Sequence, residues 1–156
     1  MKLCDLLNEK TIIPELRSTD KTDLINELID LFKNDPRVND LPKVRQRVLE
    51  REKIMSTGVG KSFAVPHGKT DGVNELICAF GKSSHPIEFD SLDQQPVHLV
   101  FLLVNHDSSV SMHIKLLSRI SRLMTKDEFR EKLIEAKTAE EIQQAFAIEE
   151  KDYLDL

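Results

Sequence analysis

The sequence predicts an α/β fold in a single domain, and three observations carry that prediction. Runs rich in branched and aromatic residues, at Phe63 to Pro66, Leu76 to Phe80 and Val97 to Val104, lie among stretches whose apolar residues recur with helical period. The chain has 156 residues, the size of one compact unit, and 40% of them are hydrophobic, enough for a core without disulfide or metal staples. No internal repeat, low-complexity run or linker divides it. The domain is therefore expected over residues 1–148, followed by an acidic, loose tail over 149–156.

The elements follow in order. Thr22 to Lys33 places Leu24, Ile25, Leu28, Ile29, Leu31 and Phe32 at helical spacing, with Ser18 and Thr19 as candidate N-caps and Asn34-Asp35-Pro36 as the stop. Leu41 to Lys53 is a second, highly charged helix with an apolar stripe of Val44, Val48 and Leu49. Ser56-Thr57-Gly58-Val59-Gly60 reads as a turn or loop, and Phe63-Ala64-Val65-Pro66 as a short strand ended by proline. Leu76 to Phe80 and Val97 to Val104 are strands set inside a sheet. Ser111 to Met124 is the best core helix, carrying Met112, Leu116, Leu117, Ile120, Leu123 and Met124. Phe129 to Ala136 and Thr138 to Ile148 are helical, the second opened by a capping box of Thr138 with Glu141.

Composition excludes several classes. With 22 basic and 27 acidic residues, no Trp and one Tyr, the chain lacks both the basic face and the stacking platforms of a nucleic-acid binder. The longest apolar stretch, Val97 to Val104, is strand length and is broken by His98, so no membrane insertion is expected. The amino terminus carries acidic residues where a signal peptide has basic and apolar ones, and Cys4 and Cys78 form no Cys-x-x-Cys pair, so free thiols in the cytoplasm are expected. Without a cysteine pair or His-Glu-x-x-His, no metal site is expected. Gly60-Lys61-Ser62 imitates the end of a nucleotide-binding P-loop, but Met55 stands where that motif needs its first glycine.

Chemistry concentrates at His67. It follows a φ-restricted proline and precedes a glycine, a placement that suits a nucleophile, and a neutral imidazole can attack phosphorus. Pro-His-Gly alone is more often a turn with a solvated histidine. Its flanks supply what a phosphoryl group needs: Arg51 for a bidentate contact, and Thr57, Gly58 and Gly60 for a hydroxyl and unobstructed amides. Arg51 could equally be a solvated helix residue and the glycines turn formers. His113 shares a stripe with Leu116, Leu117 and Ile120 near a helix start, as a second phosphate donor or as a satisfied, partly buried side chain. His98 lies in a strand, His85 and His106 in loops, and none of the three is assigned chemistry.

Arg51-Glu52, Ser56-Thr57-Gly58-Val59-Gly60 and Ala64-Val65-Pro66-His67-Gly68-Lys69, in that order and spacing, closely resemble the enzyme IIA domain of the fructose/mannitol class of the bacterial phosphotransferase system. Pro86 to Asp90, Asp93-Gln94-Gln95-Pro96-Val97 and His113 to Leu123 also look like segments of that family, and the resemblance runs from about Leu3 to Ile148. The Pro-His-Gly-Lys and Asp-Gln-Gln-Pro-Val forms look most like its nitrogen-regulatory, stand-alone branch. The resemblance implies a mixed sheet flanked by helices, His67 as the phosphorylated residue, His113 as its neighbour and Arg51 as a charge partner. It implies phospho-HPr as donor, a IIB domain or a regulated transporter or kinase downstream, and no cofactor. A sugar-permease component and a binding module switched by His67 phosphorylation are its alternatives. The chain departs from the pattern at Val104-Asn105-His106-Asp107, which lacks a proline, and at Lys61 and Phe63 on the expected docking surface.

Overall fold

A strand covered on both faces has no reason to alternate polar with apolar residues, which is why Val97 to Val104 is so continuously hydrophobic. In the computed structural model, which describes residues 2–151, this run becomes β6 (Val97–Asn105), at the centre of a six-stranded mixed sheet. Its Leu99, Phe101 and Leu103 enter one core, and its Val100, Leu102 and Val104 enter a second core on the opposite face. On one side β5 (Ile77–Ile87) runs antiparallel to it, with Phe80 opposite Phe101, and β1 (Ile12–Ile13) lies parallel to β5. On the other side β3 (Phe63–Ala64) and β4 (His67–Lys69) both run parallel to β6, and β2 (Gly58–Gly60) closes the flank antiparallel to β3.

The first core lies under α1 (Leu3–Leu6), α4 (Val110–Met124), α5 (Asp127–Glu135) and α6 (Ala139–Glu150). Phe146 packs edge-on against Phe80, Phe101 and Phe129, with ring centroids 5.4, 5.9 and 5.1 Å apart. The second lies under α2 (Lys21–Asp30) and α3 (Leu41–Ile54), which contribute Leu24, Ile25, Leu28, Val44 and Val48. The expected α/β class and the mixed sheet with helices on both faces are thus what the chain builds. No described helix is long and apolar enough to cross a membrane.

Several local expectations are corrected, each for a physical reason. Asp20, not Ser18 or Thr19, caps α2, its side chain accepting from the Asp23 amide at 2.9 Å, because Ser18 is already given to Glu27 through its own amide and hydroxyl. The helix ends at Asp30, and Leu31, Phe32 and Lys33 continue it only as a tighter turn of i to i−3 bonds. Thr138 does cap α6 by accepting the Glu141 amide at 3.1 Å, but the Glu141 carboxylate reaches back to the Lys137 amide rather than to that of Thr138. The helix runs two residues past Ile148, and Glu150 is buried, so residues 149 and 150 are not a loose tail; residues 152–156 lie outside the described residues. Strand β5 continues beyond Phe80 to Ile87 and carries His85, which is therefore not in a loop. Polar Lys82-Ser83-Ser84 hid this continuation, and the register with β6 slips there, between Lys82 and Ile87.

The proline after β3 does not end the strand. Phe63 faces Leu99 and His67 faces Leu103, so β3 and β4 hold one register along β6 and are a single strand interrupted at Val65-Pro66, where proline has no N–H to give. His67 therefore heads a strand piece rather than trailing one. Gly68, next along, faces α3: a Cβ there would stand 3.2 Å from Val48 Cγ2 and 3.4 Å from the Val48 amide nitrogen. This close approach carries the α3 backbone, and Arg51 three residues beyond Val48, up to the histidine strand. Gly68→Leu is expected to overpack the contact and cost roughly 3 kcal/mol, read as a lowered urea midpoint; an unchanged midpoint would show that α3 can retreat freely.

Candidate functional site

On the strand that holds His67, odd-numbered Phe63 and Val65 enter the α4-side core and Ala64 the α3-side core. Continuing that alternation, His67 and Lys69 project toward α4, while Gly68 meets α3. His113 comes down from the first turn of α4, and the two imidazoles stand with centroids 5.4 Å apart at a tilt of 52°. The structure thus brings together the two histidines that sequence reasoning singled out.

Their environments differ. The His67 Nδ1 lies 2.8 Å from the Val65 carbonyl oxygen. A carbonyl only accepts, so the neutral ring carries its proton on Nδ1 and leaves the Nε2 lone pair free. Half-burial pushes the His67 imidazole below its ordinary value; the Val65 bond and Glu52 oppose this, and Arg51 and Lys69 add to it. His113 is 4% exposed, and neither ring nitrogen has a hydrogen-bond partner among the described residues. Burial, with the His67 ring and Lys69 facing it, pushes its imidazole down to about 4. His113 is therefore neutral at pH 7, with one N–H to donate to an anion placed between the rings.

That depression has a stability consequence. Unfolding returns His113 to its ordinary value near 6.5, so below that pH the unfolded chain takes up a proton that the native state refuses. Stability present above about pH 6.5 should be lost as pH falls to about 4, by about 1.4 kcal/mol per pH unit and roughly 3 kcal/mol across the window. Urea unfolding at pH 7 and pH 5 checks this, because His113→Leu should remove that part of the slope; an identical slope in both proteins would refute it.

Arg51 occupies the last turn of α3, where one guanidinium nitrogen donates to the Met55 carbonyl at 2.8 Å and leaves further N–H groups for other acceptors. Thr57, Gly58 and Gly60 are placed differently from what the sequence suggested. The Thr57 amide and hydroxyl both donate to the buried Glu52 carboxylate, and the Gly58 amide donates to Ser56 Oγ at 3.0 Å. Gly58 and Gly60 pair with Ala64 and Phe63, three and four residues before His67, or about 10 and 13 Å along the strand. The link expected to be a loop is strand β2. Its glycines have their own reasons: a Cβ at Gly58 would stand 2.4 Å from Ser91 Oγ, and Gly60 has φ +109° against Asp93. Lys61 and Ser62 (φ 55° and 71°) turn β2 into β3 and do not open a helix, as a P-loop would require.

Sequence reasoning missed the roles of Glu52 and Lys69. Lys69 closes the Pro-His-Gly-Lys motif, two residues from His67 and hence on its face. Glu52 follows Val48 by four residues on the stripe of Val44 and Val48, and a carboxylate on a buried stripe was the available signal. Asn105, at the end of β6 opposite Lys69, is also buried, with a side-chain nitrogen that finds no acceptor among the described residues. No group of three or more His, Cys, Asp or Glu side chains among the described residues could hold a metal ion.

A free imidazole nitrogen, a second neutral imidazole beside it and a rim holding Arg51 and Lys69 define a histidine-centred site on an α/β domain, suited to a small, strongly charged anion. Residues 5–148 match the family profile described as phosphoenolpyruvate-dependent sugar phosphotransferase system, EIIA 2, and the chain belongs to that family of phosphoryl-transfer components. It is 35% identical over 142 residues to the PTS system fructose-specific EIIABC component of Bacillus subtilis, covering 91% of this chain but only 22% of that protein's length. It is 35% identical to the PTS system fructose-specific EIIA component of Haloferax volcanii, over 92% of this chain and 97% of the relative. A nitrogen regulatory protein of Bradyrhizobium diazoefficiens is 33% identical, with 95% and 96% covered. Among solved structures, nitrogen regulatory protein IIA-Ntr from Neisseria meningitidis superposes with TM-score 0.86 at 28% identity, covering 92% of this chain and 98% of that one. The crystal structure of mannitol IIA from Escherichia coli, at 21% identity, shares the fold with TM-score 0.76 over 90% and 98% of the two chains.

Proposed function

We propose that the protein is a cytoplasmic phosphocarrier whose His67 accepts a phosphoryl group from phospho-HPr, itself charged from phosphoenolpyruvate by enzyme I. The group is then passed to a IIB domain or kept as a regulatory signal. The observation that carries the reading is the His67 ring, whose Nδ1–H is held by the Val65 carbonyl so that Nε2 remains nucleophilic. In the step, the Nε2 lone pair forms the bond to phosphorus while the bond from phosphorus to the donor breaks in line, its electron pair leaving with the donor. No proton need leave His67, because Nε2 carried none.

Catalysis on this reading is positioning and charge stabilisation. Arg51 and Lys69 bring positive charge to the phosphoryl oxygens, and His113 donates its N–H to one of them. Once the phosphoryl dianion is in place its field favours imidazolium, so His113 becomes a stronger donor in the charged carrier than in the free one. Thr57, Gly58 and Gly60 shape the flank and could contact a donor protein, since their own placement keeps them off the phosphoryl group unless Thr57 exchanges Glu52 for it.

A second reading, a binding module switched by phosphorylation, draws on the apolar rim. Ile54 and Met55 close α3, and Val110, Met112 and Ile114 line the start of α4, all exposed. A dianion beside such a rim would repel an apolar partner. Phe63, expected on that surface, is buried in the core and takes no part in docking. Intact-mass analysis after incubation with phosphoenolpyruvate, enzyme I and HPr tests the carrier reading. One acid-labile phosphoryl group is expected, and none at all with active HPr would remove it. Transfer onward to a IIB domain would favour a transport component, and a partner released on phosphorylation without any IIB acceptor would favour the switch.

A further inference from the structure

Behind His67 lies a buried charge that the transfer step itself does not use. Glu52, in the last turn of α3, is 6% exposed. Its carboxylate pairs with Lys21 Nζ at 2.8 Å and accepts both the amide and the hydroxyl of Thr57. Lys21, from the start of α2, also donates to the Phe89 carbonyl at 3.2 Å and sits 4.9 Å over the Phe89 ring. Ser56 Oγ donates to the same Phe89 carbonyl, so α2, α3, the approach to β2 and the segment after β5 meet at this carboxylate.

From there a series of hydrogen bonds through Thr57 and Val65 leads to the reactive ring. The Thr57 carbonyl accepts the Val65 amide at 3.1 Å, and the Val65 carbonyl accepts Nδ1–H of His67 at 2.8 Å. The Val65 groups are available for this because Pro66, not Val65, turns its carbonyl to β6, where it accepts from Leu103. Successive links use different peptide units of Thr57 and Val65, so the chain transmits position, while the Glu52 charge reaches His67 through space.

We propose that Glu52 is a positioning residue for His67, fixing the tautomer and orientation of its ring through Thr57 and Val65 and offsetting the cations that surround it. The proposal rests on the reading of His67 as phosphoryl acceptor. The arrangement has a reason in the conflicting demands on the site. A phosphoryl group needs cations around it, and cations weaken an imidazole as a nucleophile by drawing on its lone pair. Arg51 and Lys69 serve the first need. A carboxylate on the open side of His67 would repel the incoming phosphoryl group, whereas one buried behind the strand restores basicity without meeting it. Glu52 occupies that rear position.

The charged and titratable groups that act on His67 are Arg51 and Glu52 from α3, Lys69 from β4 and His113 from α4. Glu52 alone among these is negative, and Lys21 from α2 is its partner. Glu52→Gln keeps an acceptor for Thr57 while removing the charge, and Lys21→Gln removes only the opposing cation. NMR titration of the His67 ring should therefore show its midpoint moving down by about half a pH unit in Glu52→Gln and up in Lys21→Gln. Phosphoryl uptake from phospho-HPr at pH 8, where the ring is neutral in every variant, should fall severalfold in Glu52→Gln.

Opposite movements support the proposal. Midpoints that stay put, or that move the same way in both variants as general loosening would cause, overturn it. If Glu52→Gln does not fold, the direction found for Lys21→Gln decides alone, since Lys21 is partly exposed and its loss leaves Glu52 bonded to Thr57. Titration reads the ring without any phosphoryl donor. A wild type that takes no phosphate would therefore refute the carrier reading and leave the Glu52 result standing by itself.

Discussion

His67→Ala should take up no phosphoryl group from phospho-HPr, with the uptake falling to background while the free energy of unfolding in urea changes by no more than about 1 kcal/mol. The small stability change follows from what the ring does in the fold: it is half-buried and its hydrogen bond to the Val65 carbonyl spans only two residues, the kind of contact worth about 1 kcal/mol net. The complete functional loss follows from the role proposed for Nε2 as the nucleophile. The pH dependence is the companion test. Only neutral imidazole attacks, so the wild-type rate should be flat above the His67 midpoint and fall tenfold for each pH unit below it. Burial and the neighbouring cations hold that midpoint below the ordinary 6.5, so the fall begins on the acid side of that value. A variant that still gains an acid-labile group, or a rate that rises on acidification, would move the chemistry to another residue.

His113→Ala should retain His67 and still lose about 10²- to 10³-fold in the rate of phosphoryl uptake, the usual cost of removing one preorganised donor from a transferring group. Its two ring nitrogens are buried without partners among the described residues, a costly condition that contact with a phosphoryl oxygen would relieve. Asn at 113 offers a donor of similar reach, so partial recovery in His113→Asn is the expected control, measured by quenched-flow transfer from phospho-HPr. Full activity in His113→Ala would reduce His113 to a packing residue. The loss of stability on acidification would survive that outcome, because it depends on burial and on the neighbouring His67 and Lys69, not on contact with a phosphoryl group.

The parts of the molecule readable in sequence are those where one physical rule acts alone. The stripe of Leu116, Ile120 and Leu123 gives α4 by periodicity, and the unbroken run at Val97 gives a strand buried on both faces. His67 was legible because Pro66 and Gly68 restrict and free the backbone on either side, though the reasons are tertiary: Pro66 breaks the ladder to β6, and Gly68 admits α3. What stayed hidden depends on distant segments. Gly58 and Gly60 look like a phosphate-binding turn until Ser91 and Asp93, more than 30 positions along, are seen to press on them. Glu52 looks solvated until Lys21 and Thr57 converge on it. Arg51 and Glu52 are neighbours in sequence with opposite surroundings, one half-exposed and one buried, and only the place of Glu52 on the stripe of Val44 and Val48 distinguishes them. The family resemblance supplied the pairing of His67 with His113, which neither residue's own neighbours could.

Glu150 near the end of α6 accepts the amides of Leu3 and Cys4, at 2.6 and 2.7 Å, so the opening turn of α1 is held by a side chain 147 positions away. In space the polypeptide is almost a ring. First and last helices dock side by side on one face of the sheet, and the order of elements along the chain matters less to the architecture than their circular order does. A unit closed in this way brings Leu3 and Glu150, near the two ends of its described chain, to one side of the domain. The clasp also joins the hydrogen-bonded partners farthest apart in sequence among the described residues, so it carries a large loop-closure cost and is expected to form late in folding.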